Sequence, residues 1–391
     1  MNASTSILDA EQQETLTALT DSLTRFAKRE IEPNIHAWDE VGEFPRSLYL
    51  KAAELGLLGM GYPEHLGGSP ATWRMRNTVS QQLSCLGGSG GLLASLFSHN
   101  IGLPPVLRYG SEALQHEVIP PVLRGEKIAA LAITEPSGGS DVAALGCTAT
   151  RDGSDYVING EKVFITSGMR ADFITMAVRT GEAGNKGSGG ISMILVPSDK
   201  IGISRTRLEK MGWWCSDTAH LRFDNVRVPA ANLLGEEGGG FKIIMTNFNG
   251  ERLSMSAMAL GFAQACFDEA LDWARQRKTF GSSLLEHQAV RHKLVDMQMR
   301  ISSTQAWIDA ITARADAGDA GAGWVAQVCM LKNHATQTMQ FCADQAVQIL
   351  GAMGFMRGTK SERIYREVKV MMIGGGAEEI MKELAARQLG L

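Results

Sequence analysis

The segment from Leu131 to Asp141 combines threonine, serine and glycine in a pattern suited to binding an anion. It reads Leu-Ala-Ile-Thr-Glu-Pro-Ser-Gly-Gly-Ser-Asp. Glycines allow backbone N–H groups to approach an anion closely, and a serine hydroxyl adds another donor. A strand-to-loop turn that uses Pro136 and the glycines only to change direction explains the same residues about as well. From these residues alone, both a phosphate-type contact and a plain turn stay open.

Two further segments place charged side chains where they could act on a ligand. Glu251 directly precedes Arg252, and Arg277 opens the sequence Arg-Lys-Thr-Phe-Gly. A carboxylate can accept a proton from a substrate when its surroundings bring its pKa towards neutrality. A guanidinium suits a diphosphate because its donors form a fixed fork. Each residue also has an ordinary explanation, since an acid in the first turn of a helix and an arginine at a helix C-terminus both complement the helix dipole.

The bulk composition is that of an ordinary globular protein. The chain has 391 residues, of which 44% are hydrophobic and 20% charged, and its formal net charge is −4. A slightly acidic chain offers no electrostatic basis for binding nucleic acid or an anionic membrane. No window approaches the ~18–20 consecutive apolar residues of a membrane span. We therefore expect neither a nucleic-acid partner nor a membrane partner.

The cysteines and the N-terminus bear on the compartment. Six cysteines are widely scattered and form no C-x-x-C pair, which predicts buried free thiols and no metal site. The first ten residues contain no basic residue and no apolar core, so we expect neither a secretory signal nor an arginine-rich transit peptide. Both features favour a cytoplasmic protein.

Three regions of the chain differ in hydrophobic pattern and predict an α+β fold. Residues 1–123 are predicted to form an N-terminal helical domain, residues 124–236 an antiparallel β-domain, and residues 237–391 a C-terminal helical domain. In the C-terminal region, apolar residues recur with helical spacing from Leu253 to Ala274 and from Val290 to Ile311. Long amphipathic helices of this kind favour a four-helix bundle.

The middle region is predicted to be a compact antiparallel barrel or sandwich. Tyr156–Thr166 is interpreted as two β-rich runs joined by Asn159-Gly160, because this dipeptide suits the two positive φ angles of a type I′ hairpin turn. Residues 181–190 are predicted to be a polar, glycine-rich loop. Further strands are predicted at Ala171–Arg179, Ile191–Pro197, Gly202–Arg207 and Thr218–Arg222.

The order helices, β-domain, helices resembles the acyl-CoA dehydrogenase fold, and the resemblance spans almost the entire chain. Besides Leu131–Asp141, it is carried by Pro63–Gly68, Asp224–Pro229 and Arg277–Gly281. Their order and spacing together identify the chain as a member of that family. The resemblance implies FAD as cofactor, an acyl-CoA substrate, electron-transfer flavoprotein as acceptor, and a homotetramer built as a dimer of dimers.

The resemblance also implies which residues contact FAD. Thr134 would bind the flavin ring edge and Ser140 the pyrophosphate. Phe164, where many members have tryptophan, would shield the flavin face with Thr166 nearby, although alternation along a strand would instead place Phe164 in the core. The resemblance implies further contacts with FAD, partly across a subunit boundary, by Arg277, Phe280, Gln348 and Glu379.

The catalytic base is the point at which this sequence departs from most of the family. Most members carry the glutamate in a late loop, where this chain has Gly375 within Gly374-Gly375-Gly376. Isovaleryl- and long-chain-type members instead carry it on a helix, directly before an arginine, which matches Glu251 and Arg252. The resemblance further implies that the Gly375 N–H binds the thioester oxygen, that Arg252 positions the base or the pantetheine region, and that Asn249 contacts the CoA adenine.

The function expected from this resemblance is α,β-dehydrogenation of an acyl-CoA to a 2-enoyl-CoA, with Glu251 removing the α-proton and FAD taking the β-hydride at N5. A reductase of enoyl- or crotonobetainyl-type thioesters fits the same motifs. An oxidase or monooxygenase of the same fold is a further alternative, although monooxygenase relatives generally lack a base carboxylate. A non-enzymatic, DNA-associated relative is disfavoured, because the segment Met381–Leu391 is too mixed in sign to bind DNA.

Overall fold

The computed structural model describes residues 10–180 and 187–391. Residues 1–9, on which the prediction about targeting signals largely depends, lie outside these ranges, as does most of the predicted loop 181–190. The domain boundaries at residues 123/124 and 236/237 stay predictions.

The N-terminal region is helical, as predicted. Its helices are α1 (Ala10–Phe26), α2 (Ile35–Val41), α3 (Ser47–Glu54), α4 (Trp73–Gly87), α5 (Gly90–Leu96), α6 (His99–Gly102), α7 (Pro104–Tyr109) and α8 (Glu112–Leu123). Several begin where a hydroxyl side chain can accept a hydrogen bond from a free backbone N–H of the first turn. Thr72, Ser89 and Ser111 do so at α4, α5 and α8.

The middle region contains one eight-stranded sheet. Its strands are β1 (Ala129–Ala132), β2 (Thr148–Asp152), β3 (Asp155–Thr166), β4 (Phe173–Arg179), β5 (Ile191–Pro197), β6 (Ile203–Arg207), β7 (Thr218–Pro229) and β8 (Leu233–Leu234). The spatial order is β6-β7-β3-β2-β4-β5-β8, with β1 beside β4. Most neighbours are antiparallel, but β1 and β2 both pair with β4 in parallel, which the antiparallel prediction missed. These pairings join segments that are distant in sequence, so no local turn signal could reveal them.

The predicted hairpin at Asn159-Gly160 is wrong. β3 continues through this dipeptide as one strand, and the chain reverses earlier, between Asp152 and Asp155, which face each other in the ladder of β2 and β3. At Gly160 the pairing with β7 instead shifts register. Gly160 has φ +140°, and a Cβ there would lie 2.7 Å from Cys147 Cα. The glycine therefore serves a bulge and a close backbone approach.

The C-terminal region is helical, and α11 lies at its centre. Its main helices are α9 (Gly240–Gln276), α10 (Gln288–Asp316), α11 (Ala322–Leu350), α12 (Ala352–Phe355), α13 (Lys360–Ile373) and α14 (Glu378–Leu389). α11 packs against α9, α10, α13 and α14, while α9 also packs against α4 of the N-terminal region. A short hairpin of β9 (Lys278–Thr279) and β10 (Ser282–Ser283) separates α9 from α10.

The predicted apolar faces of α9 and α10 form part of the core. Leu253, Leu260, Met297 and Ile308 are among their buried residues, and all belong to a core cluster that also includes residues of the sheet and of the N-terminal helices. Within residues 10–180 and 187–391, no helix is both long and apolar enough to cross a membrane. The order of helical region, β-sheet region and second helical region confirms the α+β fold predicted from the sequence.

Candidate active site

Glu251 lies inside α9 rather than in its first turn. α9 begins at Gly240, so Glu251 is three helical turns further along and its charge has no role at the helix N-terminus. The preceding Gly250 allows α9 to approach α4, because a Cβ there would lie 2.8 Å from Cη2 of Trp73. The ordinary explanation of Glu251 as a surface acid in a first turn is therefore wrong.

The side chain of Glu251 meets the loop formed by Gly374, Gly375 and Gly376. This loop, which we call the triple-glycine loop, joins α13 to α14. A Cβ atom on Gly375 would lie 3.9 Å from Glu251 Oε1 and 2.9 Å from Met255 Sδ. Gly375 has φ +66°, a left-handed conformation that a residue with a side chain adopts only at a cost. The structure thus brings together the two positions, Glu251 and Gly375, that the family resemblance linked.

Arg252 connects α9 directly to the triple-glycine loop. Its Nε donates a hydrogen bond of 2.9 Å to the Gly375 carbonyl, and its Nη1 donates one of 3.1 Å to Asn249 Oδ1. The side chain is almost entirely buried, so these bonds compensate for the loss of hydration of the guanidinium. Arg252, Asn249 and Gly375 therefore form one connected group beside Glu251.

Lys332 of α11 is a second buried cation at this loop, and the sequence reasoning missed it. Its Nζ donates to the Met372 carbonyl at 2.9 Å and to the Gly376 carbonyl at 2.8 Å. The side chain is fully buried. The sequence signal that could have found it is the apolar run Val-Cys-Met-Leu directly before Lys332, which indicates a buried position. Lysine is rarely buried unless its ammonium group is paired.

The pKa of the Glu251 carboxyl group is shifted towards neutral pH. Burial raises its pKa to about 7, although the nearby positive charges of Arg252 and Lys332 oppose the rise. Its Oε2 atom is buried and has no hydrogen-bond partner among the described residues. A buried carboxyl group with a free oxygen and a pKa near 7 is suited to general base chemistry at physiological pH.

The backbone N–H of Gly375 is also without a partner. Gly374 N–H donates to the Val370 carbonyl at the end of α13, whereas the Gly375 N–H makes no hydrogen bond to any described residue. Its own carbonyl is held by Arg252. Among the described residues, the Glu251 carboxyl group and the Gly375 N–H are therefore both left without a hydrogen bond at this site.

A buried ion pair lies beneath the segment that begins at Thr134. Lys162 of β3 donates to Glu135 Oε1 at 2.7 Å and to the Ile133 carbonyl at 3.0 Å, and both side chains are buried. The N–H of Val163 donates to the Thr134 carbonyl at 2.9 Å. These contacts bring Thr134 beside the end of β3, where Phe164 and Thr166 lie.

Phe164 does not enter the core. It has φ +62° and its side chain is 68% exposed, because the pairing of β3 with β7 shifts register between Lys162 and Ile165. Thr166 is the last residue of β3, pairs with Thr218 and is half-buried. Simple alternation along the strand is therefore the wrong interpretation for Phe164.

The amide groups that follow Thr134 are available to a ligand. Ser140 is exposed, and the N–H groups of Gly139 and Ser140 donate to no described residue. A Cβ on Gly138 would meet no atom within 4 Å. The segment is therefore an open set of donors of the kind that anions occupy.

The remaining predicted cofactor residues lie apart from this group within one chain. No hydrogen bond, ion pair or ring contact among the described residues joins Arg277, Phe280, Gln348 or Glu379 to residues 131–141. Phe280 and Gly281 form the turn of the β9–β10 hairpin, both with positive φ, as in a type I′ turn. The Phe280 side chain is fully exposed.

Comparison with protein-family models gives three matches that together cover most of the chain. The acyl-CoA dehydrogenase N-terminal domain matches residues 13–126, the middle domain residues 130–226, and the C-terminal domain residues 238–390. The chain belongs to the acyl-CoA dehydrogenase family. This acyl-CoA dehydrogenase family member is thus an oxidoreductase, as the resemblance implied, in a family of flavoproteins.

Individual relatives within the family carry different activities in their names. A solved structure of a probable acyl-CoA dehydrogenase from Mycobacterium abscessus is 44% identical with a TM-score of 0.93, covering 97% of this chain and 99% of that one. The mitochondrial long-chain specific acyl-CoA dehydrogenase of Rattus norvegicus is 35% identical, over 94% of this chain and 85% of its own length. A 3-(aryl)acrylate reductase of Clostridium sporogenes is 33% identical, over 93% of this chain and 95% of its own.

Proposed function

We propose that this family member is an FAD-dependent acyl-CoA dehydrogenase that converts an acyl-CoA thioester to the 2-enoyl-CoA, with Glu251 as the base. The observation that carries the proposal is the meeting of Glu251 with the triple-glycine loop. There a buried carboxyl group with a pKa of about 7 and an unpaired oxygen lies beside an unpaired backbone N–H. Removing a proton beside a thioester carbonyl requires this combination of acceptor and donor.

The two groups have complementary roles in the proposed reaction. The Glu251 carboxylate takes the α-proton, and the electron pair left behind moves towards the thioester oxygen. The Gly375 N–H donates a hydrogen bond to that oxygen, and one fixed donor of this kind contributes about 3–4 kcal/mol to the transition state. Bound FAD would supply the acceptor for the hydride that leaves the β-carbon.

Arg252 and Asn249 prepare the site without exchanging protons. The 2.9 Å bond from Arg252 Nε to the Gly375 carbonyl fixes the loop that carries the donor. The bond from Arg252 Nη1 uses only the oxygen of Asn249, which leaves the Asn249 amide N–H groups free to donate. This geometry supports Arg252 as a positioning residue and Asn249 as a contact to the CoA portion of the substrate.

The residues that would hold FAD fit a flavin dinucleotide. The unpaired N–H groups of Gly139 and Ser140 suit the pyrophosphate, and Thr134 and Thr166 offer hydroxyl groups at neighbouring points. Phe164, on β3 next to Val163, presents an exposed aromatic ring and has a positive φ. Exposure of a large apolar side chain in a strained conformation is explained when a flat ligand covers it.

A second subunit would complete this cofactor site. Within residues 10–180 and 187–391, no hydrogen bond, ion pair or ring contact joins the Thr134 segment to Arg277, Phe280, Gln348 or Glu379, and Phe280 is fully exposed at a hairpin tip. We propose that these residues reach FAD in a neighbouring copy within a homotetramer. A fixed guanidinium fork at Arg277 would suit the diphosphate there.

The position of the base supports the isovaleryl- or long-chain-type subgroup. We propose a branched or long acyl chain as substrate, because the resemblance links a glutamate on a helix and a glycine in the loop to members that accept such chains. We propose electron-transfer flavoprotein as the acceptor, and a cytoplasmic location stays a prediction.

Anaerobic flavin bleaching tests the proposed function. The purified protein should be yellow, and a panel of straight-chain and 2- or 3-methyl-branched acyl-CoAs should include one that bleaches it. Glu251→Gln should slow bleaching by ~10²–10⁴ while FAD stays bound. Glu383→Gln, which alters an exposed glutamate of α14 paired with Arg387, is the matched control and should bleach normally. Bleaching of Glu251→Gln at the wild-type rate would remove Glu251 as the base.

A reductase of enoyl-type thioesters is the second candidate, and the Clostridium sporogenes relative favours keeping it. The same carboxyl group could return a proton to the α-carbon, because its pKa near 7 allows both protonation states. Rapid reoxidation of the chemically reduced protein by an enoyl- or arylacryloyl-CoA, with no bleaching by any acyl-CoA, would select the reductase.

A further inference from the structure

Lys332 occupies a position where a buried charge needs an explanation. Its side chain is fully buried, and among the described residues its ammonium group bonds only two backbone carbonyls, those of Met372 and Gly376. These carbonyls lie on either side of Gly375. Burial lowers the pKa of Lys332 to about 8, which indicates that holding the charge there is costly. A neutral amide side chain could donate to a carbonyl without that cost.

The charged and titratable groups facing Lys332 come from three helices. Glu251 and Arg252 lie on α9, Glu378 on α14, and Cys329 on α11 itself. Glu251 is the buried acid among them, and Lys332 is one of two cations that favour its ionised form. The other cation, Arg252, is already bonded to Gly375 and Asn249, so removing it would dismantle the loop contact as well. Lys332 is therefore the cation at which a substitution can remove the charge and still keep a hydrogen-bond donor to the carbonyls.

We propose that Lys332 is a positioning residue for the reaction at Glu251. Its two hydrogen bonds fix the triple-glycine loop on both sides of the Gly375 donor, and its positive charge favours the ionised form of the Glu251 carboxyl group. The catalytic part of this inference rests on the proposed function, whereas the electrostatic coupling between Lys332 and Glu251 does not.

Two substitutions separate the hydrogen bonds from the charge. Lys332→Gln keeps a donor for the carbonyls and removes the charge, while Lys332→Arg keeps both. Lys210→Gln is the matched control, because Lys210 also donates to a backbone carbonyl, that of Ser216, and burial also lowers its pKa. Lys210 faces Asp217 rather than Glu251. Flavin content and melting temperature establish that each variant is folded.

The pH dependence of anaerobic flavin reduction gives the first readout. Removing a nearby cation makes the carboxylate harder to form, so the acidic limb of the rate profile should move to higher pH in Lys332→Gln, by roughly 0.5–1 unit. The rate should consequently fall more at pH 6.5 than at pH 8.5. Lys332→Arg and Lys210→Gln should leave the limb in place. A uniform loss of rate in Lys332→Gln with an unmoved limb would reduce Lys332 to a structural role.

The second readout needs no activity. The effect of Glu251→Gln on melting temperature depends on pH because the pKa of the Glu251 carboxyl group is higher in the folded protein than in the unfolded chain. This pH dependence therefore reports the pKa of Glu251 in the folded protein. In the Lys332→Gln background, the effect should begin near the same pH but keep growing to a higher pH before it levels off, in step with the shift of the rate limb. If no acyl-CoA bleaches the protein, this coupling can still be measured, so failure of the proposed function and failure of this inference are distinguishable.

A double substitution keeps the test decisive if Lys332→Gln folds poorly. Combining it with Glu251→Gln removes both buried charges, so Glu251→Gln should stabilise the Lys332→Gln protein at pH 8 by more than it stabilises the wild type. An equal gain in the two backgrounds would show that Lys332 and Glu251 are not coupled and would overturn the proposal.

Discussion

The side chain that Gly375 lacks would point towards Glu251, since a Cβ atom on Gly375 lies 3.9 Å from Glu251 Oε1. A carboxylate can therefore be delivered to the same region either from the interior of α9 or from the triple-glycine loop. A substitution at Gly375 should therefore change the surroundings of the Glu251 carboxyl group, and a substitution at Glu251 should change the surroundings of Gly375.

Moving the carboxylate from α9 to the loop should restore part of the activity. Glu251→Gln should slow flavin reduction by ~10²–10⁴. Adding Gly375→Glu with Met255→Ala, which removes the thioether 2.9 Å from the new Cβ, should regain at least about tenfold of that loss, as measured by stopped-flow bleaching. Glu251→Gln with Met255→Ala alone is the control. No gain over this control would contradict a shared location for the two carboxylates.

Gly375→Ala should destabilise the protein more than the same change at Gly318. Both glycines have positive φ, but a Cβ on Gly318 would meet nothing within 4 Å, whereas on Gly375 it would meet Met255 Sδ at 2.9 Å. We expect about 1 kcal/mol of loss from backbone strain at either site and a further ~1–2 kcal/mol from overpacking at Gly375. Urea unfolding measures both variants, and equal losses would show that the contact is unimportant.

Glu251→Gln should stabilise the protein at high pH but not at low pH. The pKa of Glu251 is raised by burial from 4.5 to about 7 in the folded state, so folding disfavours the ionised form. The penalty is absent below pH 4.5, grows as the pH rises towards 7, and is on the order of 3 kcal/mol above pH 7. Melting temperatures at pH 5 and pH 8 check this. A gain that is the same at both pH values would argue against a raised pKa.

Breaking the ion pair beneath the Thr134 segment should release the cofactor. Lys162→Met would leave the buried carboxylate of Glu135 without its cation, at a cost of about 3–5 kcal/mol. The double variant Lys162→Met/Glu135→Gln should lose less stability, because neither charge is then buried. Flavin content after gel filtration and melting temperature provide the measurements. A double variant as unstable as Lys162→Met would show that the charge itself is not the cause.

Phe280→Ser should weaken flavin retention and subunit association without unfolding the chain. The side chain is fully exposed and contacts His287 within one chain, so its removal creates no cavity in the core. Ile201→Ser, at a side chain 95% exposed, is the matched control and should leave both properties unchanged. Sedimentation velocity and flavin absorbance measure the outcome, and wild-type behaviour of Phe280→Ser would contradict a role across a subunit boundary.

Much of the fold could be predicted from local pattern. The helices α9 and α10 carry a regular apolar face, and β5 begins and ends at the predicted residues Ile191 and Pro197. The prediction failed where glycine had two explanations. Gly160 suits a hairpin turn and a bulge equally well, and the close approach of Cys147, which selects the bulge, is not visible in the sequence near either residue.

The sequence by itself determined the family, the helical and β regions, and the absence of a carboxylate at Gly375 together with its presence at Glu251. Only the tertiary structure decided that Glu251 is buried beside that loop, that Phe164 turns outward, and that Lys332 bonds the carbonyls flanking Gly375. The physical reason is that periodicity records which face of an element is buried. The particular partner on that face, and the pKa that it imposes, depend on helices brought together from distant parts of the chain.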